Sequence, residues 1–218
     1  MFPPFSFRVN PALLQSASTL YINRRAYITY ADVNCYRKYK NLRHMITLIS
    51  GTNRTGSKSR AIVDLYAAML EERGEPHQIL DLADLPPDFI VSAMYKNAGK
   101  NEQFNKLVHM IETADKFVFV VPEYNSSFPG VLKAFIDALS YPCPFLHKKG
   151  ALIGLSSGMQ GSGLALSHLT DILNYLGMHI MAMKLKLAHI EKNFDGRQIT
   201  NKLYNELLEQ HVAQLIRF

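Results

Sequence analysis

From Ile46 to Arg60 the chain reads ITLISGTNRTGSKSR: a short apolar run, then small polar side chains, two glycines and three bases, Arg54, Lys58 and Arg60. A buried strand that feeds such a loop into a helix makes an anion site. The first helical N–H groups lack intrahelical acceptors, and the macrodipole favours negative charge there. Thr52, Ser57 and Ser59 add hydroxyl donors, and the Arg54 guanidinium can meet two phosphate oxygens at once. The set suits a terminal monophosphate. An ordinary alternative stands beside it, with Ser57 a plain helix N-cap and Arg54 a solvated loop charge. A nucleoside-triphosphate loop fits poorly, because Ser57 intervenes between Gly56 and Lys58-Ser59, where Gly-Lys-Ser/Thr is required. A dinucleotide fingerprint also fails, since the loop has no Gly-x-Gly.

Two later stretches are as unusual. In PEYNSSFPG, residues 122–130, Pro122 and Pro129 stiffen the two ends. The backbone between them can read the edge of a flat heterocycle. A simple strand-to-helix turn, with Pro129 at the first helical turn and Tyr124 packed locally, is the alternative. The third stretch is SSGMQGSG, residues 156–163. Here Gly154-Leu155-Ser156-Ser157-Gly158 matches the Gly-x-Ser-x-Gly of a hydrolase nucleophile elbow. That chemistry needs an acid and a His from later strand ends. Asp171 and His168 fall inside the next helix, and His189 precedes Asp195, the wrong order. The match is read as chance.

These loops need a frame, and the hydrophobic pattern supplies one. Strands are expected at 45–50, 77–82, 116–121, 150–155 and 179–184. Helices are expected at 58–73, with Ile62, Leu65, Ala68 and Met69 on one face, and at 101–114, with Phe104, Leu107, Val108 and Ile111. Further helices carry Leu132, Phe135, Ile136 and Leu139; residues 163–176; and Leu203, Leu207, Val212 and Leu215. Five strands, each followed by a helix, call for an α/β fold with a doubly wound parallel sheet and helices on both faces. Right-handed crossovers bring all strand carboxyl ends, and so all three loops, to one edge.

Taken together, SGTNRTGSKSR and PEYNSSFPGVLKAFID resemble the NADPH-dependent FMN reductase family, whose members include quinone, azo-dye and chromate reductases. The resemblance spans roughly residues 45–218. It implies a flavodoxin-like fold, FMN as cofactor, NADPH or NADH as hydride donor, and a small electron-poor acceptor such as a quinone. It implies that Thr52, Arg54, Ser57 and Ser59 surround the FMN phosphate. Pro122, Glu123, Tyr124 and Asn125 would line the isoalloxazine, mainly through backbone groups, and Ser156, Ser157 and Gly158 would close its other side. No side chain is needed as acid or base for hydride transfer, so no catalytic residue is assigned. The sequence departs from the pattern at Thr52, where Ser is usual, at Ser59, where Asn is usual, and at Ser126, where Gly is common. A homodimer or a tetramer of dimers is implied, and the wide apolar arc of the helix around Leu132 to Leu139 is expected to exceed what one sheet covers.

Composition narrows the partners. The chain has 218 residues, 48% hydrophobic and 11% aromatic, with a net charge of +6. Residues 1–44 hold Arg8, Arg24, Arg25, Arg37, Lys38, Lys40 and Arg43 against a single acid, Asp32. Taking these seven and one from the totals of 24 and 18 leaves 17 of each sign, so the chain from Met45 is neutral. The basic balance is therefore no argument for nucleic acid as the main domain's partner. The segment 1–44 lies outside the family pattern. It is read as a start-site artefact with Met45 the working start, or as a targeting segment, or as an extension packed on the domain. No apolar run is long enough for a membrane span. Two Cys suit a reducing, cytoplasmic setting. The scattered His show no metal spacing, and no metal is expected. The runner-up function is a flavodoxin-like electron carrier without NAD(P)H turnover, disfavoured by the neutral domain and the basic first loop. An FMN-free interaction domain on the same fold is third.

Overall fold

The computed structural model describes residues 44–218. The readings of the N-terminal segment fall, apart from His44, outside the described residues. The five strands are β1 Ile46–Ser50, β2 His77–Asp81, β3 Lys116–Pro122, β4 Lys149–Leu155 and β5 His179–Leu187. The helices are α1 Lys58–Glu72, α2 Phe89–Ser92, α3 Glu102–Glu112, α4 Gly130–Asp137, α5 Gly163–Tyr175, α6 Ile190–Asn193 and α7 Lys202–Arg217. All strand pairs are parallel, and the order is β2-β1-β3-β4-β5. This is the flavodoxin-like doubly wound order. The chain leaves β1 in one direction to form β2 and returns past it to form β3, so a crevice opens between the carboxyl ends of β1 and β3.

Strand alternation builds a core on each sheet face. Along β3, Phe117, Phe119 and Val121 point to one side with Phe104, Leu107, Leu132, Phe135 and Leu169. Val118 and Val120 point to the other side with Ile62, Tyr66, Leu70, Leu208, Val212 and Leu215. The first core is thus roofed by α3, α4 and α5, the second by α1 and α7. Helix starts are capped as their sequences dictate: Ser57, Asn101 and Asn201 accept from Arg60, Phe104 and Tyr204 N–H. Lysines from the sheet meet two helix C-termini. Lys116 Nζ donates to Leu215 and Ile216 carbonyls at 3.0 and 2.8 Å, and Lys148 Nζ to Ile111 and Glu112 at 2.7 and 2.8 Å.

Two expectations change. The buried face of α1 runs through Ile62, Val63, Tyr66, Ala67, Met69 and Leu70, while Ala68 is exposed. Tyr66 can lie there because its hydroxyl meets His211 Nδ1 at 3.0 Å. β5 continues to Leu187 because Leu185 and Leu187 turn inward while Lys184 and Lys186 sit on the sheet's outer edge, the place where lysine guards against edge pairing. Of the apolar arc of α4, Leu132, Phe135 and Ile136 are buried, with Phe104 set edge-on to Phe135, while Val131 and Leu139 are only partly buried. Pro129 stands one residue before α4, at its N-cap.

Candidate functional site

The loops after β1, β3 and β4 meet at one sheet edge around a cavity of about 440 Å³. After β1, the Gly51 N–H donates to Val120 O at 2.9 Å. A Cβ on Gly51 would sit 2.9 Å from that oxygen, so only glycine lets β1 end against β3. Thr52 is buried. Its Oγ1 accepts from Arg54 N–H at 3.3 Å and shares a hydrogen bond with Tyr124 Oη at 2.9 Å. Ser57 caps α1 through its oxygen, yet its hydroxyl hydrogen is still free to donate. Ser59 borders the cavity, is 1% exposed, and its Oγ has no hydrogen-bond partner among the described residues. A buried hydroxyl is rarely left unpaired, and an anionic oxygen in the cavity would pair it. Arg54 is exposed and its guanidinium has no ion pair there, whereas Arg60 turns aside to Asp64 and Asp81 at 2.9 and 3.1 Å. The donor set fits a phosphate monoester.

The loop after β3 is rigid for a local reason. Tyr124 and Ser127 exchange backbone hydrogen bonds of 2.8 and 3.1 Å, and the two residues between them, Asn125 and Ser126, have φ of 51° and 61°. Two successive positive φ values are the pattern of a type I′ turn. Such a turn favours Gly at the Ser126 position, which explains that departure as a tolerated strain. Glu123 N–H donates to Leu155 O at 3.0 Å, tying this loop to β4. Ser127 Oγ meets His168 Nδ1 at 3.0 Å, tying it to α5.

The loop after β4 is held by the chain beyond β5. Ser156 N–H donates to Leu187 O, Ile190 N–H to Ser156 O and His189 N–H to Gly158 O, all at 3.0 to 3.1 Å. Ser156 Oγ donates to Gly158 O at 3.0 Å, and His168 is engaged with Ser127, so no base serves Ser156. Gly154 is needed for space, since a Cβ there would lie 2.5 Å from Gly161 O. The elbow-like letters therefore have a packing cause. Ser157 Oγ donates to Glu191 Oε1 at 2.7 Å, and Lys58 Nζ reaches the same oxygen at 3.1 Å. The Ser157 hydrogen bond, followed by Lys58, holds the Glu191 carboxyl below the usual carboxylate range.

Of the residues singled out from sequence, Thr52, Arg54, Ser57, Ser59, Pro122, Glu123, Tyr124, Ser156 and Ser157 border this cavity. Asn125 and Gly158 do not; both are exposed on the loops beyond it. Sequence reasoning missed Glu191 and Lys58 as a pair, which lie 133 positions apart and leave no local pattern. A larger cavity, about 890 Å³, opens between α5 and the β5 edge, where Lys184, Lys186 and Asp171 lie. From the three loops only Met159, Gln160 and Gly163 reach it, so it lies away from the convergent donors. Cys143 is half-buried, and burial pushes its thiol up, which suits an inert residue.

A doubly wound parallel sheet with a helix N-terminus, hydroxyls and an Arg without an ion pair among the described residues at its switch point defines an α/β protein whose crevice offers donors to an anion. Residues 45–191 match the NADPH-dependent FMN reductase family, and the chain belongs to it. It is 30% identical over 172 residues to the NAD(P)H-dependent FMN reductase of Pseudomonas aeruginosa, covering 77% of this chain and 90% of that one. It is 32% identical over 176 residues to the quinone reductase of Escherichia coli K12, covering 80% and 92%. Among solved structures, the flavoenzyme NAD(P)H:(acceptor) oxidoreductase FerB of Paracoccus denitrificans superposes with a TM-score of 0.65 at 26% identity, over 80% of this chain and 96% of that one. Reductases named for NAD(P)H favour the enzyme reading over the electron carrier.

Proposed function

We propose that the protein is an FMN-dependent NAD(P)H oxidoreductase that delivers electrons to a small electron-poor acceptor such as a quinone. The observation that carries this reading is the cavity at the β1/β3 crevice, where the buried, unpartnered Ser59 hydroxyl and the unpaired Arg54 guanidinium converge on the N-terminus of α1. In this reading Arg54, Ser57, Ser59 and the first N–H groups of α1 hold the phosphate. Thr52 acts one step back, since its hydroxyl braces Tyr124 and the Arg54 N–H. Pro122, Glu123, Tyr124, Ser156 and Ser157, which border the cavity, present backbone groups to the ring, while Asn125 and Gly158 shape the loops beyond it. The redox chemistry comes with FMN when it is bound: hydride enters from the nicotinamide, and two electrons leave to the acceptor. The chain's part is to bind, orient and exclude water, and no protein acid or base is assigned.

No helix among the described residues is long and apolar enough to cross a membrane. A homodimer or tetramer of dimers and a cytoplasmic setting belong to the same proposal. The assembly is supported by the family resemblance and is checked by light scattering, where a monomer at micromolar concentration would reject it. The function is tested by anaerobic stopped-flow mixing of the flavin-loaded protein with NADPH and, separately, NADH. Loss of the oxidised flavin absorbance within seconds, and parallel double-reciprocal lines with a quinone, are expected. Flavin that neither nucleotide reduces, but an added reductase does, would make the protein an electron carrier.

A further inference from the structure

Two of the three cations around the start of α1, Arg54 and Lys58, border the cavity and are not equivalent. Arg54 is exposed without an ion pair among the described residues, whereas Lys58 is matched by Glu191 at 3.1 Å. Lys58 directly follows the Ser57 cap, so its ammonium belongs to the same anion-attracting helix end. Glu191 borders the cavity as well, and its Oε1 is also the acceptor for Ser157 Oγ at 2.7 Å. A carboxylate in this place does two things to a phosphate: it occupies the lysine, and it repels the anion. Neither is needed to hold the loops, because the backbone bonds of Ser156 with Leu187 and Ile190, and of His189 with Gly158, already fix the segment.

We propose that Glu191 is a specificity-determining residue, which keeps Lys58 off the phosphate end of the flavin site and so limits how strongly the site prefers a phosphorylated flavin over an unphosphorylated one. This rests on the assignment of residues 52–59 as the phosphate end. Its consequence is a flavin held by Arg54 and the helix N-terminus without the help of the second cation.

The substitution Glu191→Gln separates charge from shape, since the amide oxygen can still accept from Ser157. Dissociation constants for FMN and riboflavin are measured by flavin fluorescence quenching on the full chain freed of flavin. Riboflavin affinity should stay level. FMN affinity should rise about two- to fivefold in E191Q, the range expected for a half-exposed charge pair, and K58M/E191Q should return the ratio to the wild-type value. An FMN-to-riboflavin ratio that is unchanged or lowered in E191Q overturns the proposal. A wild-type protein that binds both flavins equally overturns the phosphate assignment itself, a separate result. Should E191Q fail to fold, K58M decides alone. The ratio should then fall about two- to fivefold, because the carboxylate freed of its lysine repels the phosphate unopposed; a larger loss would place Lys58 on the phosphate, an unchanged ratio would show that Glu191 has no influence there, and either ends the proposal.

Discussion

The phenolic oxygen of Tyr124 lies 2.9 Å from the buried Oγ1 of Thr52, joining the loop after β3 to the loop after β1 across the crevice. One end of this bridge stands beside the helix N-terminus and the other beside the rigid 124–127 turn. The two ends of the proposed flavin site are thereby held at a set distance.

Removing either partner should loosen both. Tyr124→Phe and Thr52→Val each delete the hydrogen bond while keeping shape, and each should weaken FMN binding by about 1 kcal/mol, near fivefold. The double variant should lose little more than Thr52→Val alone, which already removes the shared bond together with the acceptor for the Arg54 N–H. Losses that simply add in a binding titration would show that the bridge has no part in the site.

Arg54→Ala removes a charge-assisted contact with the phosphate. Such bonds contribute about 1.5–3 kcal/mol, so FMN affinity should fall between about tenfold and a hundredfold or more. Riboflavin binding should hardly change. Equal losses for both flavins would point to a collapsed loop instead of a missing phosphate contact.

His211 sets a pH limit on stability. Burial in the α1/α7 core, beside Tyr66, pushes its pKa from 6.5 down to about 4. Between those values the unfolded chain takes up a proton that the native state refuses. Stability from this group is complete above pH 6.5 and is lost as pH falls toward about 4. The total is on the order of 3 kcal/mol. Urea midpoints at several pH values should therefore fall faster for the wild type than for His211→Gln, which cannot titrate. Parallel curves would refute the assignment.

Ser126 holds φ of 61° in the turn after β3. An L-residue is strained there by roughly 1–2 kcal/mol, while glycine is not. Ser126→Gly should raise the melting temperature, with a net gain of up to about 1 kcal/mol after the added freedom of the unfolded glycine. A lower melting temperature would mean that Ser126 makes contacts worth more than the strain.

What the sequence shows of this molecule follows from range. KFVFVV could be read as a buried strand, and SGTNRTGSKSR as a strand-loop-helix anion site, because their periodicity and turn chemistry are local. The alternation of elements was enough to bring three distant loops to one edge. Contacts that depend on packing were not legible. Tyr66 and His211 are 145 positions apart, and each reads singly as a surface-compatible residue. Which part of the α4 arc is buried was not legible either, because a helical wheel cannot count the neighbours that α3 and α5 supply to Leu132 and Phe135. Lys184 looked like the end of the last strand because an edge strand tolerates charge on its outer side.

The cavity walls come from the loops after β1, β3 and β4 and from α6, so no contiguous piece of the chain carries the site. A ligand that needs all of these walls recognises only the assembled sheet and ignores the unfolded chain. By mass action it then shifts the folding equilibrium, by about 2.7 kcal/mol at a free concentration one hundred times its dissociation constant. Flavin supply thereby becomes a determinant of how long the chain survives proteolysis, since proteases act on the opened population that flavin depletes.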